Sequence, residues 1–364
     1  MNTIHSLHSA EASLVVEADP KRGVVWRHCG LRVDPGDLPR ASQGRGPATF
    51  ALDRDIGMPL VPPAGLGWFG PAAIKARDAA GAPVIFAADH WHVETTGTTL
   101  SVTQSDRVAG LEWRATCTVL SGGATRVSTS IINIGTASIS LAGLASLQLP
   151  LAAGFAQVIS WRGRHNAELN ECIEPMPQQR WEKVSRRGLS GHAGAPGLYV
   201  LGQDTGWHSG MALAVQLQWS GDHTLVIERD DEGYWTLHAA ATLAPGEVTL
   251  APGERFDAPA ALLAISGKGR NGALAQMHAA VSTAGKRAIS ITTRPGSKRW
   301  QGPRPTSASS GSCSTMAGSP DGATTPPVWA TGCPIPRPTL TASPHSRERS
   351  QPWGWSSDCG SSRR

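Results

Sequence analysis

The chain has 364 residues, of which 40% are apolar and 17% are charged, and its formal net charge is +5. This length and apolar content allow a sizeable buried core and up to two ordinary domains. Much of the positive excess falls in residues 288–364, which hold nine Lys or Arg against three Asp or Glu. Basic residues before that point are scattered, and no stretch of about 18 apolar residues occurs, so we expect neither nucleic-acid binding nor a membrane span.

The first residues and the cysteines bear on the cellular compartment. Residues 1–6 lack a charged region followed by a long apolar run, so we expect no signal peptide and a cytoplasmic protein. None of the six cysteines forms a C-x-x-C pair, and their spacing differs from that of a disulfide framework. We therefore expect buried or free thiols. The widely spaced His208, His223 and His238 do not suggest a metal site, and we assign no metal ligands and no cofactor.

Short strand patterns separated by turn residues dominate the chain up to about residue 240. Residues 111–119 alternate apolar and polar side chains, residues 121–124 are a turn signal, and residues 127–131 alternate again, which predicts a β-hairpin. Further strands are predicted at residues 99–102, 198–201, 213–219, 224–228 and 234–238. One helix is predicted, at residues 271–284. Many short strands with frequent turns favour an all-β sandwich or barrel.

The composition changes near Ala288. Residues 288–364 contain five Leu, Ile, Val or Phe and 26 Ser or Pro. A segment so poor in core-forming residues cannot offset its conformational entropy by burial. We therefore expect a folded domain over residues 1–287 and a disordered, low-complexity tail over residues 288–364.

Four ordered motifs carry a family resemblance. They are W-R-G-R-H-N-A-E at residues 161–168, S-R-R-G-L-S-G-H at 185–192, W-S-G-D at 219–222 and L-A-P-G-E-R-F-D-A-P at 250–259. This part of the chain resembles family 36 glycoside hydrolases, the α-galactosidases. His165 stands where the family usually has Trp, and Gly191 replaces a Ser. Upstream, G-W-F-G-P at residues 67–71 looks like a loop of one branch of the family.

The resemblance implies a β-supersandwich like that of galactose mutarotases, which in the family precedes a (β/α)8 barrel. That barrel holds two catalytic Asp, one of them in a K-W-D motif, and the sequence contains no K-W-D. We therefore expect the catalytic barrel to be missing, no catalytic residue in this chain, and an inactive protein. The family activity would be hydrolysis of terminal α-D-galactosides of the raffinose or melibiose type.

The resemblance also suggests sugar-binding residues. Trp68 and Phe69 lie in the Gly-rich loop, from which aromatic rings could stack on a sugar. Arg164, Arg187 and His192 lie in the motifs, where they would line or support a sugar site between sandwich and barrel. The alternative for the polar group around His192 is a loop network that holds two strands together. Trp113, Trp219 and Trp235 fall in strand patterns and are expected in the core.

Two other functions stay open at this point. The chain could be a non-catalytic carbohydrate-binding or oligomerisation module. It could also be a mutarotase-like sugar isomerase, which requires a His and a Glu converging in one cleft. A domain that normally rests on a barrel would expose an apolar face, which also allows a homo-oligomer.

The tail has a further interpretation. Read from the third nucleotide of each codon, with synonymous codons chosen freely, four ordered segments of residues 288–364 can encode barrel motifs such as L-D-D-G-W and G-L-G-D-W. We therefore expect a frameshift near Arg287, in the gene or in its sequencing. The alternative is a genuine low-complexity interaction segment.

Overall fold

The computed structural model describes residues 2–37, 57–65, 67–68, 70–192, 194–230 and 233–288. Within these ranges the chain forms twenty strands, one α-helix and one 3-10 turn at Pro35–Asp37. The strands are β1 (Thr3–His8), β2 (Ala12–Asp19), β3 (Gly23–Leu31), β4 (Ile74–Arg77), β5 (Pro83–Val84), β6 (His90–Thr96), β7 (Thr99–Asp106), β8 (Leu111–Val119), β9 (Thr125–Asn133), β10 (Ile139–Leu151), β11 (Phe155–Arg164), β12 (Ala167–Pro175), β13 (Arg180–Ser185), β14 (Gly197–Gly202), β15 (Ala212–Leu217), β16 (His223–Arg229), β17 (Trp235–Ala241), β18 (Val248–Leu250), β19 (Arg255–Asp257) and β20 (Ala261–Ser266). The helix is α1 (Gly269–Ala288).

The strands form three antiparallel sheets. The smallest is a meander of β1, β2 and β3. A second sheet has seven strands in the order β13-β16-β17-β10-β4-β5, with β18 pairing with β10. The third has ten strands in the order β12-β11-β14-β15-β20-β9-β8-β7-β6, with β19 pairing with β9. The predicted all-β class is confirmed.

The main core lies between the two large sheets. Leu111 and Ile131 of the ten-stranded sheet and Leu149 and Leu225 of the seven-stranded sheet belong to one cluster, and each is at most 1% exposed. Burying a side chain of this size contributes about 1.5–3 kcal/mol to stability. The alternation predicted for residues 111–119 is the pattern of β8, which pairs with β9 as the predicted hairpin.

The helix covers the other face of the ten-stranded sheet. Along β15, Leu213 and Val215 point into the main core, whereas Ala212 and Ala214 point towards α1. The helix fills this second core with Ala273, Met277 and Ala280. Small side chains on both elements allow the helix to lie close to the sheet. The predicted helix is confirmed, and it begins two residues earlier than residue 271.

Some sequence predictions are refined by the structure. Trp113 is buried as expected, but Trp219 and Trp235 are only partly buried and pack against the edge of the core. The described cysteines, Cys29, Cys117 and Cys172, are free thiols as predicted. No helix within the described ranges is long and apolar enough to cross a bilayer. The predicted tail and the predicted frameshift segments begin at Ala288, the last described residue, and otherwise lie outside the described residues.

Candidate functional site

Two of the sequence motifs meet at one end of the sandwich. Strand β13 ends at Ser185, and the motif continues as a loop to His192. The Ser190 amide donates to the Ser220 carbonyl at 2.6 Å, and the Gly188 amide donates to Asp222 Oδ1 at 2.8 Å. The loop of residues 186–192 is therefore fastened to the turn between β15 and β16. This supports the interpretation of the motif as a network that holds neighbouring segments together.

The hairpin between β11 and β12 reaches the same region. Asn166, in its tight turn, and Leu169, near the start of β12, have φ of 61° and 52°, a region that residues other than glycine rarely adopt. A Cβ on Gly163 would lie 2.6 Å from the Ala167 carbonyl oxygen, so only glycine fits at this position, where β11 approaches β12 next to the turn. Glu168 Oε1 accepts the Asn166 amide at 2.9 Å, which fixes the carboxylate at the tip.

The hairpin tip and the loop bring two histidines to one carboxylate. Glu168 Oε1 lies 3.9 Å from His165 Nδ1 and 3.8 Å from His192 Nδ1. The two imidazole rings are 6.2 Å apart between centroids. All three side chains are exposed, and one potential ligand atom of each lies within 4.8 Å of the others. We call these three residues the rim cluster. Although the sequence suggested no metal ligands, this is a group that could hold a metal.

The structure separates the predicted sugar-binding residues into two places. Arg164, Arg187 and His192 are exposed at the rim, and His192 meets the segment that follows Arg164. Trp68 is only 5% exposed, and its indole Nε1 donates to the Pro71 carbonyl at 3.1 Å. Its ring contacts protein rather than offering a free face. Phe69 lies outside the described residues. The binding roles of all five residues stay predictions.

Two buried polar side chains, Lys183 and His223, lie on the strands next to the start of the loop that follows β13. Lys183 Nζ donates to the Trp161 carbonyl at 2.6 Å, which ties β13 to β11. Burial is the main reason that the pKa of Lys183 is lowered to about 8, and the nearby charge of Arg162 lowers it further. His223 lies opposite Ser185 across the β13–β16 pair and is fully buried, which also lowers its pKa.

A polar cavity of about 210 Å³ opens on the seven-stranded sheet. Its charged and hydrogen-bonding lining residues are Lys75, Arg180, Glu182, Arg186, Thr224, His238 and Thr242. Arg180 forms ion pairs with Glu182 and Glu228. Burial lowers the pKa of His238 to about 4, with contributions from the charges of Lys75 and Arg180, so this imidazole is neutral at physiological pH. The cavity could hold a small polar molecule.

One His and one Glu line this cavity without meeting. His238 and Glu182 both lie opposite Val226, on β17 and β13 respectively, with β16 between them. Two strand spacings put their backbones about 10 Å apart. This is the pair that a mutarotase-like mechanism would need, and the intervening strand keeps the two side chains from direct contact.

Few of the cavity residues could be predicted from local sequence patterns. Arg186 lies within the S-R-R-G-L-S-G-H motif, which is the sequence signal available for it. Lys75 and His238 had no such signal, because strands β4 and β17 become neighbours of β10 only in the folded sheet. The proximity of His165 to His192 was hidden for the same reason.

A comparison with known families decides the identity of this sandwich. The sequence profile of the glycosyl hydrolase family 36 N-terminal domain matches residues 11–251. The chain belongs to glycosyl hydrolase family 36. The matched part contains every strand from β2 to β18 and both motifs of the rim cluster, so the rim belongs to the family 36 domain.

Curated relatives of this family 36 chain are α-galactosidases. The α-galactosidase of Escherichia coli is 28% identical over 277 residues, which are 75% of this chain and 38% of that protein. α-Galactosidase Mel36A of Lactobacillus acidophilus is 29% identical over 174 residues, 48% of this chain and 24% of that protein. The chain thus spans less than half the length of the curated relatives it matches.

Solved structures show the same fold. The family 36 α-galactosidase AgaA of Geobacillus stearothermophilus, in complex with raffinose, superposes with a TM-score of 0.66 at 20% identity. The superposition covers 74% of this chain and 42% of AgaA. The α-galactosidase of Lactobacillus brevis gives a TM-score of 0.66, also at 20% identity, over 76% of this chain and 41% of its own. The expected family 36 sandwich is confirmed.

Proposed function

We propose that this chain is the N-terminal domain of an α-galactosidase, an enzyme that removes terminal α-linked galactose from oligosaccharides of the raffinose or melibiose type. The observation that carries the proposal is the family 36 match over residues 11–251. The α-galactosidase names of its relatives support the activity, and the raffinose complex of AgaA supports the substrate class.

We further propose that the chain as given does not catalyse this reaction. Retaining glycoside hydrolysis needs two carboxyl groups about 5 Å apart, one as nucleophile and one as acid/base. The family nucleophile lies in a K-W-D motif of the barrel, and the sequence has no K-W-D. The domain would instead contribute the wall formed by Arg164, Arg187 and His192 to a sugar site completed by a barrel encoded out of frame after Arg287.

A pair of assays tests this proposal. The chain should release no chromophore from a nitrophenyl α-galactoside, whereas a gene restored to the third-nucleotide frame after codon 287 should encode an active enzyme. Activity of the chain alone would refute the inactive assignment. Nucleotide sequencing that shows no barrel motifs in that frame would refute the frameshift.

The cavity on the seven-stranded sheet supports a second candidate, a carbohydrate-binding module. Its Lys75, Arg180, Glu182 and Thr242 offer donors and acceptors of the kind that bind sugar hydroxyls. Calorimetric titration with raffinose should show binding that Arg180→Ala weakens. Absence of heat with raffinose, melibiose and galactose would eliminate this candidate, and polarimetry of α-D-galactose would reveal any mutarotase activity.

Two properties of the chain are proposed alongside this function. The free thiols of Cys29, Cys117 and Cys172 support a reducing compartment, the cytoplasm. The apolar side chains of Leu169 and Ile173 are exposed on β12, the terminal strand of the ten-stranded sheet, and they support self-association into a homo-oligomer. Light scattering of the purified chain would measure its mass.

A further inference from the structure

We propose that His165, Glu168 and His192, the rim cluster, bind one Zn²⁺ ion that fastens the loop of residues 186–192 to the β11–β12 hairpin. Nothing in the α-galactosidase assignment calls for a metal at this position. The proposal rests on the side chains that the fold brings together, and it holds whether or not the chain has any hydrolytic partner.

The distances fit a small transition-metal ion. Zn²⁺ binds imidazole nitrogen and carboxylate oxygen at about 2.0–2.2 Å, so tetrahedral ligands lie about 3.3 Å from each other. The separations of Glu168 Oε1 from the two imidazole Nδ1 atoms are 3.8 and 3.9 Å. The ligand atoms of all three side chains lie within 4.8 Å of one another. Each ligand atom therefore needs to move by about 0.5–1 Å to reach tetrahedral separations. Because all three side chains are exposed, rotation about their own bonds can provide this.

The chemistry of the set favours zinc over harder cations. Two neutral imidazoles and one carboxylate are typical ligands of Zn²⁺, whereas Ca²⁺ and Mg²⁺ require mostly oxygen ligands. The single negative charge of Glu168 offsets one of the two charges of the ion. Three protein ligands leave a fourth position for water or for a hydroxyl group of a bound molecule.

Hydrogen bonds hold the two backbone segments that carry the ligands before any ion arrives. Glu168 is the second residue of β12, directly after the turn, and this end of the strand is held by the Asn170 side chain, which donates to the Ala167 carbonyl at 2.7 Å. His192 follows a loop held by the amides of Gly188 and Ser190. The hairpin and the loop come from separate parts of the sequence, so an ion bound between them acts as a cross-link.

Calorimetric titration of Zn²⁺ into the full chain, produced without a histidine tag, tests the site. We expect one site whose affinity falls at least tenfold in His165→Trp and in His192→Ala. The control is His90→Ala, because exposed His90 lies on β6, at the opposite end of the ten-stranded sheet from β11 and β12. Unchanged Zn²⁺ binding in both cluster variants would overturn the proposal, as would an equal loss in the control.

Two further measurements test the ligand type and the cross-link separately. The absorption spectrum of the Co²⁺-loaded chain should lack thiolate charge-transfer bands, and their presence would assign the metal to cysteines instead. Trypsin cleaves after Arg186 and Arg187, which are both exposed in the loop. At a Zn²⁺ concentration of about 100 times Kd, cleavage through local opening should slow about 100-fold in the wild type. His192→Ala, checked for native circular dichroism, should show no slowing, and equal protection in this variant would overturn the cross-link.

Discussion

Trp68 and Gln148 donate hydrogen bonds to the same acceptor, the Pro71 carbonyl oxygen, at 3.1 and 2.9 Å. Gln148 is also in contact with His238, whose Nδ1 lies 3.2 Å from Gln148 Oε1. Gln148 of β10 thereby links the segment of Trp68 and Pro71 to His238 of β17. We call Trp68, Gln148 and His238 the buried polar row.

The first prediction concerns this buried row. Gln148→Leu should lower the free energy of unfolding by about 2–3 kcal/mol, because the His238 imidazole loses its partner and the Pro71 carbonyl loses one of its two donors. Urea unfolding measures the change. Gln157→Leu, at an exposed position on β11, should change stability by less than about 0.5 kcal/mol. Equal losses of unfolding free energy in Gln148→Leu and Gln157→Leu would contradict a stabilising role of the buried polar row.

The second prediction is a pH dependence. The folded-state pKa of His238 is about 4 and its ordinary value is 6.5, so between these values the unfolded chain binds more protons than the folded one. Stability from His238 is therefore complete above pH 6.5 and is lost as the pH falls towards 4. At pH 5 this loss should be about 2 kcal/mol relative to pH 7.5.

A histidine-to-asparagine comparison isolates this effect. His238→Asn retains a donor towards Gln148 but does not titrate, so the variant should lose about 2 kcal/mol less than the wild type between pH 7.5 and pH 5. His90→Asn, at an exposed site, should follow the wild-type curve. Parallel curves for wild type and His238→Asn would show that His238 is not the group responsible.

The third prediction tests how closely α1 lies against the sheet. A Cβ at Gly122 would lie 2.3 Å from the Cβ of Ala279, and its φ is +96°. Gly97 also has a positive φ, +57°, but open space around it. We expect Gly97→Ala to destabilise by about 1 kcal/mol through backbone strain alone. Gly122→Ala should cost about 2–4 kcal/mol because the helix must also shift. Thermal unfolding compares the stabilities of the two variants. Equal losses of stability would contradict the close contact between α1 and the turn at Gly122.

The fourth prediction concerns the first turn of α1. The Arg270 guanidinium lies 4.0 Å from the centre of the Trp207 ring and pairs with Glu171 of β12. Its side chain is only 12% exposed, so Arg270→Ala should cost about 2 kcal/mol. Arg114→Ala removes a more exposed pair with Glu112 and should cost less than about 1 kcal/mol. Chemical unfolding of both variants gives the comparison, and a smaller cost for Arg270→Ala would contradict its anchoring role.

Local patterns predicted the local parts of this fold. Leu111 and Trp113 alternate with Glu112, and this period of two identifies β8 because each strand face meets a different environment. The turn after it predicted the pairing with β9. The helix was also predicted, from the helical spacing of Leu274, Met277, His278 and Val281. Of these four only Met277 is buried, and the face that packs on the sheet is formed instead by small residues such as Ala273 and Ala280. These features depend on neighbours in sequence.

Contacts between distant segments could not be read in this way. Trp68 looked like an exposed ring for sugar binding because its loop is rich in glycine, yet its ring packs against Gly70. The rim cluster depends on the β11–β12 turn and on the loop after β13 ending at one place. No spacing within the sequence encodes that meeting, which follows from the order of strands in the two sheets.

The position of β20 has a consequence for synthesis. This strand, the last of the described strands in chain order, lies in the middle of the ten-stranded sheet, between β15 and β9. Until Ser266 has been translated, the sheet consists of two halves with unpaired edges that face each other, a state open to aggregation. Glu11, near the N-terminal end of the sequence, also cannot form its hydrogen bonds with Ser266 and Lys268 until these residues have been translated. Completion of the sandwich therefore depends on translation as far as Lys268, and a change of reading frame after Arg287 leaves every strand pairing described here encoded.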